Sequence, residues 1–441
     1  MAKNRREFLK SCCHLGATGV AAHLAHLAPL SVSAQGLSDY KALVCVFLFG
    51  GNDSNNMIVP IDFRYSAYKT MRGAVALAPN VLLPAGSSGY GLHPALVNIK
   101  RLYDQQHAAA VFNVGTLFQP VTKGTLNSVP LPRNLYSHSD QTQQWQTSDP
   151  SGGSTGWGGR LNDHAASHNT GSLPPGISVN GGTALYLSGA ATKGLNFSNA
   201  GSFGLTTFGE NTAMTARLAS LQRILTFDTG LQLVAAANGV LGDSIRSAQE
   251  IDSALNSAPA LPVAFPNSDL GRQLAQVAQV IAVQGTLGMN RQIFFAGLGG
   301  FDNHEDLVNK QQGLMATLDA AIGAFITTLE QRGSLGNVTV FTESEFNRTG
   351  DANANVGTDH AWGSHHLVVG GSVRGGATYG TFPLHQLSGP DDAGDRGYWI
   401  PTTALDQYAA TLGGWFGAQA PDLQAIFPNL GNFSPPTVGF L

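Results

Sequence analysis

The sequence predicts an α/β protein built on a mostly parallel central sheet flanked by helices, and three observations carry that prediction. Residues 42–49 (ALVCVFLF), 292–298 (QIFFAGL) and 338–341 (VTVF) are continuous apolar runs of strand length, the pattern of strands buried on both faces of a parallel sheet. Each run gives way to a polar cluster: Asp53 after Gly50 and Gly51, Asp302 and His304 after Gly299 and Gly300, and Glu343 and Glu345 directly after the third strand. Stretches with apolar residues every three or four positions separate the runs, as the crossovers of a parallel sheet require.

Taken in order, the first strand ends in glycines that let the backbone turn sharply and leave room for a ligand. Residues 93–106 have helical spacing (Leu96, Ile99, Leu102, Tyr103), and 108–114 form a second strand, completing a β-loop-α-β opening. Residues 116–146 read as loop, punctuated by Pro120, Pro130 and Pro132, and 148–159 as Gly/Ser-rich and structureless. From about 206 to 289 the pattern is helical, broken near Pro262 and Pro266, and predicts a helical insertion or cap over the sheet. After 292–298, a helix carries Val308, Gln311, Met315, Leu318, Ile322, Phe325 and Leu329 on one side, and Gly333 closes it. Residues 367–369 give another strand, and 403–416 a last helix with Leu405, Tyr408, Leu412 and Trp415 on one side. No repeat or linker interrupts residues 35–441, which are expected to form a single domain.

Only 12% of the residues are charged, about half the ~25% usual for soluble proteins. With 54 glycines, this suggests a well-ordered, loop-rich exported protein. No basic stripe is present, which argues against nucleic acid as a partner. Arg5-Arg6-Glu7-Phe8-Leu9-Lys10 is a twin-arginine motif, followed by a weakly apolar segment and by Val32 and Ala34 at the −3 and −1 positions of a small-residue cleavage site. Residues 1–34 therefore read as a Tat export signal, with the Tat translocase as partner during export to the periplasm or beyond. The segment is too short, and too interrupted by His14, His23 and His26, to serve as a stable membrane anchor. Its removal leaves 20 basic against 27 acidic residues, a net charge of −7, and a single cysteine, Cys45, so no intramolecular disulfide is possible.

Parallel strands would bring the three polar clusters to one edge of the sheet, where open α/β sheets bind ligands. The loop 358–366 (TDHAWGSHH) adds Asp359, His360, His365 and His366, and residues 137–140 (SHSD) add further ligand types. Oxygen and imidazole donors without thiolates suit a divalent ion such as Zn²⁺, Mn²⁺, Mg²⁺ or Ca²⁺. Structural roles compete at each position. Asp302 with Glu305 fits a helix capping box, Asp53 is also placed to cap a turn, and Glu343 and Glu345 could line a solvated edge. Gly152-Gly153-Ser154-Thr155-Gly156 imitates a nucleophile elbow but has no strand before it. Residues 351–362 imitate a calcium loop, but with Val356 where glycine is needed and Trp362 in place of the glutamate.

The twin-arginine signal, LVCVFLFGGNDSNNMIVP, GGFDNH, TESEFNRTG, GTDHAWGSHHLVVGGSVRGG and LDQYAATLGGWFG together resemble the Tat-exported bacterial family called domain of unknown function 1501, which looks like a divergent branch of the alkaline phosphatase/sulfatase superfamily. The resemblance implies an alkaline phosphatase-like sandwich and a metal-dependent hydrolase acting on a phosphate or sulfate ester, small or polysaccharide. It implies one metal held by Asp53 and Glu345 (or Glu343) and a second held by Asp302, His304 and His360, with Asp359 beside them. Ser137 or Ser139 falls where the nucleophile is expected, and Arg348 is placed to hold an ester oxygen or to pair with the carboxylates. The chain departs from the superfamily in having Glu345-Phe346 where an Asp-His pair is usual, and neither serine lies in a nucleophile signature. The competing expectation is a non-catalytic exported protein of the same fold that binds a partner or a surface polysaccharide.

Overall fold

The computed structural model describes residues 39–182, 184–197, 211–227 and 230–441; the export signal expected over 1–34 lies outside them. The strands are β1 (Lys41–Leu48), β2 (Ile58–Pro60), β3 (Leu83–Pro84), β4 (Tyr90–Leu92), β5 (Ala108–Gly115), β6 (Gly176–Ser178), β7 (Leu195–Asn196), β8 (Arg291–Leu298), β9 (Val338–Glu343), β10 (Ser364–Gly370), β11 (Ala377–Tyr379) and β12 (Thr403–Ala404). The α-helices are α1 (Ser54–Met57), α2 (Tyr65–Arg72), α3 (Val97–Asp104), α4 (His138–Thr147), α5 (Trp157–Ala165), α6 (Thr212–Leu225), α7 (Gln232–Leu255), α8 (Asp269–Ala282), α9 (Leu307–Gln331), α10 (Leu405–Phe416) and α11 (Ala420–Ile426).

Nine strands form one sheet in the order β11-β5-β10-β9-β1-β8-β6-β7, with β12 also paired to β5; β2, β4 and β3 form a small antiparallel sheet. The large sheet is mostly parallel, as the apolar runs predict, but β10 runs antiparallel to both β9 and β5. β1 lies at its centre with β8 and β9 parallel on either side, so the loops leaving all three strands emerge on the same edge.

Alternate residues of each strand serve the two faces. Leu43, Cys45, Phe47, Ile293, Phe295 and Phe341 pack with Trp145, Trp157, Leu161, Tyr408 and Phe416 from α4, α5 and α10. α3, α8 and α9 form another connected set, with α8 against β8, α3 against β5 and both against α9. α9 is long and apolar enough to cross a membrane, but more than half of its most apolar window is buried in this body.

Two helices stand where loop was expected. α4 (HSDQTQQWQT) is polar yet buries Gln141, Gln144 and Trp145, the glutamines being held by Thr116 Oγ1, by each other and by the Arg133 carbonyl. α5 begins Trp-Gly-Gly because its second and third residues meet other chain: a Cβ at Gly159 would lie 2.3 Å from the Gly189 nitrogen, and one at Gly158 2.7 Å from the Tyr186 ring. In the stretch expected to be a helical insertion, α8 packs on β8 and α9 as part of the sandwich, whereas α6 buries no side chain and α7 buries them only in its second half.

Candidate metal centre

Four side chains converge beyond the ends of β1, β8 and β9: His138 from the first turn of α4, Asp302 and His304 from the loop after β8, and His360 from the loop after β9. Ligand atoms of His138, Asp302 and His360 lie within 4.8 Å of one another. His304 Nε2 is 3.0 Å from Asp302 Oδ1, His360 Nε2 is 3.2 Å from the same oxygen, and the two Nε2 atoms are 3.2 Å apart. His138 Nε2 stands 3.5 Å from the other oxygen, Oδ2.

The far side of each ring explains this inward aim. Nδ1 of His304 meets Asp359 Oδ1 at 2.9 Å, Nδ1 of His360 meets the Tyr136 carbonyl at 2.8 Å, and Nδ1 of His138 meets Glu345 Oε1 at 2.9 Å. Each Nδ1 has an oxygen acceptor, and a neutral ring that carries its single proton there turns an Nε2 lone pair inward, the usual support of metal-ligating histidines. Two such lone pairs and a carboxylate oxygen within 3.2 Å repel one another unless a proton or a metal ion joins them. An ion with bonds of about 2.1 Å to nitrogen and oxygen spaces its adjacent ligand atoms roughly 3.0–3.4 Å apart. The donor set fits a divalent metal.

The surroundings hold these groups rigidly. Glu345, almost wholly buried, also accepts the Gly50 N–H at 2.7 Å. Gly50 has φ +114°, and a Cβ there would lie 2.4 Å from the Asp302 nitrogen, so glycine is required for the β1 and β8 loops to touch. Phe346 stacks on His360 and borders His138 as an apolar wall. Burial pushes the Asp302 carboxyl up, but the Arg348 hydrogen bond and the charges around it bring it below the ordinary range. At Asp359 burial likewise opposes hydrogen bonds from Arg396, His304 and Asn353, which win and lower it to about 2. The hydrogen bond that His138 Nδ1 donates to Glu345 is the main reason His138 is raised, and burial is the main reason His360 is lowered.

The other expected site residues sit elsewhere. Asp53 lies in a buried ion pair with Arg72 (2.7 Å) and caps α1 through Asn56 N, so its carboxylate serves the fold and is not among the clustered ligands. Glu343 is the last residue of β9 and shares a face with Phe341, so it points into the aromatic core toward Cys45 Sγ (3.7 Å) and away from Glu345. Arg348 is fully buried, donating to Asp302 Oδ1 (2.7 Å) and the Gly50 and Thr358 carbonyls; it steadies the carboxylate instead of reaching an ester. Asp359 orients His304 from behind. Ser137 is the N-cap of α4 with its Oγ donating to Asp140 (2.8 Å), and Ser139, exposed on the first turn beside it, donates to the same carboxylate (3.5 Å). Asp302 caps no helix, since α9 begins at Leu307 after Asp306. His365 and His366 are buried on opposite faces of β10, and burial lowers both to about 3. His138 belongs to the SHSD segment that the sequence offers as a source of ligands, and its signal there is an imidazole immediately after a serine cap.

Glu343 yields a prediction. Burial among aromatic rings holds its carboxyl well above the ordinary value near 4.5, so the folded protein keeps this proton and the unfolded chain releases it. The cost is absent in acid and grows by about 1.4 kcal/mol per pH unit above that value until the folded group ionises. Glu343→Gln removes the titration, so its melting temperature is expected to gain on the parent progressively from pH 5 to 8. Parallel melting curves across that range would contradict a protonated Glu343.

Among solved structures the chain is similar to Ps i-CgsB (10% identity, TM-score 0.37, covering 90% of this chain and 77% of that one). It is also similar to a protein in the alkaline phosphatase superfamily from Vibrio parahaemolyticus (10%, 0.35, 87% and 68%) and to the PsFucS1 sulfatase from Pseudoalteromonas sp. (9%, 0.34, 89% and 70%). No curated protein matches the chain. Residues 40–389 match the family described as "Protein of unknown function (DUF1501)", and the chain belongs to that family.

Proposed function

We propose that the protein is an exported, metal-dependent hydrolase of phosphate or sulfate esters, a divergent relative of the alkaline phosphatases and sulfatases. The observation that carries the metal is the triangle of Asp302 Oδ1, His304 Nε2 and His360 Nε2, with edges of 3.0, 3.2 and 3.2 Å. The reaction class rests on the motif resemblance described above.

Asp302, His304 and His360 would hold the ion. When bound, a divalent cation there supplies Lewis-acid polarisation of the ester and eases deprotonation of a water. Arg348 fixes Asp302 through Oδ1, and Asp359 and the Tyr136 carbonyl fix the two rings. His138, half-exposed at the mouth and oriented by Glu345, presents Nε2 to take the proton of the attacking water. With Ser137 committed to capping and Ser139 turned to Ser137 Oγ and the Asp140 carboxylate, water is the nucleophile in this scheme.

The test is metal analysis of protein purified without chelator, followed by assays on phosphate and sulfate monoesters. Stoichiometric metal is expected, with hydrolysis abolished by chelation, restored by metal, and within about twofold of the parent in Ser137→Ala and Ser139→Ala. Metal-bearing protein inert on every ester would leave the non-catalytic binding protein as the better reading.

A further inference from the structure

We propose that the hairpin of α6 and α7 is a surface through which two copies of this chain associate. The two helices pack on each other along Met214, Leu218, Leu221 and Leu225 of α6, all half-buried at helical spacing. Away from that seam, Ile224, Phe227, Leu231, Leu233, Val240 and Leu241 are exposed by 63, 72, 61, 83, 69 and 43%. Between Ile224 and Gly242 the sequence has one charged residue, Asp228. The first half of α7 (QLVAAANGVL) is apolar nearly all round, a pattern that belongs to covered helices. A 14-residue helix such as α6, with no buried side chain, is also marginal without further packing.

Size and charge favour a second copy as the cover. The six side chains expose on the order of 600 Å² of apolar surface, near the roughly 800 Å² that each partner gives to a standard interface and beyond the few hundred Å² usual for a monomer's patch. Ile224, Phe227, Leu231 and Leu233 lie at the tip of the hairpin, and Val240 and Leu241 extend the patch about two turns along α7, which gives a second copy a helix face to pack against as well as a tip. α6 carries Arg217 and Arg223 with no acid, while α7 carries Asp243, Glu250 and Asp252 against Arg246. A two-fold pairing that sets α6 of one copy beside α7 of the other is therefore complementary in charge, and self-complementarity is what an isologous contact needs.

Sedimentation equilibrium of the chain lacking residues 1–34 is expected to give twice the chain mass at micromolar concentration. Leu233→Glu and Val240→Glu, both at exposed positions, should weaken dimerisation at least a hundredfold while leaving the circular dichroism spectrum and the bound metal unchanged. A parent that stays monomeric at about 50 µM, or a dimer insensitive to both substitutions, would overturn the proposal. Binding of monomeric parent to phosphatidylglycerol vesicles, abolished by Leu233→Glu, would overturn it in favour of a lipid surface.

Discussion

Alanine at His360 is expected to weaken metal binding by more than about 100-fold, because it removes a ligand outright, whereas losing an outer hydrogen-bonding partner costs roughly 10–100-fold. His304→Ala should match it, and Asp302→Asn should approach it. His138→Ala should fall short, near tenfold, since His138 faces the outer oxygen of Asp302 and stands outside the close triangle. Equilibrium dialysis against Zn²⁺ and Mn²⁺ measures these directly. Stability should follow: a ligand at a hundred times its Kd stabilises the native state by about 2.7 kcal/mol, so chelator should lower the melting temperature of the parent and leave His360→Ala unmoved. Parent-like affinity in both histidine variants would show that the converging rings serve packing alone.

The second large effect concerns stability without metal. Arg72 is wholly buried and donates to Asp53 Oδ2 (2.7 Å), Asn56 Oδ1 (3.0 Å) and the Thr349 and Gly350 carbonyls (3.0 and 3.2 Å). It ties α2 to the β1 loop and to the loop after β9. Arg72→Met keeps the aliphatic bulk but leaves Asp53 buried and unpaired, which costs about 3–5 kcal/mol, a large share of the ~5–15 kcal/mol typical of a domain. Urea denaturation should show that loss, with bound metal per folded molecule preserved. Asp53→Asn should likewise retain its metal; a metal-free Asp53→Asn would return Asp53 to the ligand set.

Much of this was legible in the sequence, for physical reasons that particular residues illustrate. The runs around Cys45, Phe295 and Val340 announce buried strands because apolar or β-branched residues dominate them and no charge interrupts them, and the spacing from Val308 to Leu329 announces α9. Asp302, His304 and His360 were readable because each follows a strand or opens a polar loop at the right edge. Strand direction was not readable: Ser364–Gly370 is buried on both faces whichever way it runs, and only pairing with β5 and β9 shows that it is reversed. Glu343 and Glu345 do not share a direction, because the alternation of the pleat ends with the strand. β9 stops at Glu343, which keeps the inward direction of Phe341, while Glu345 lies in the turn and follows the loop instead of the pleat. α4 was hidden because its buried residues are glutamines, whose hydrogen-bond partners come from distant chain.

The central place of β1 also governs when the molecule can form. Lys41 is matched to Arg291 and Ala42 to Val338, so β1, the first strand among the described residues, waits for partners translated some 250 and 300 positions later. Such non-local pairing closes slowly, and an unpaired ALVCVFLF segment invites aggregation meanwhile. This body cannot assemble piecemeal from its N-terminal strand: most of the chain must be made before its middle layer exists.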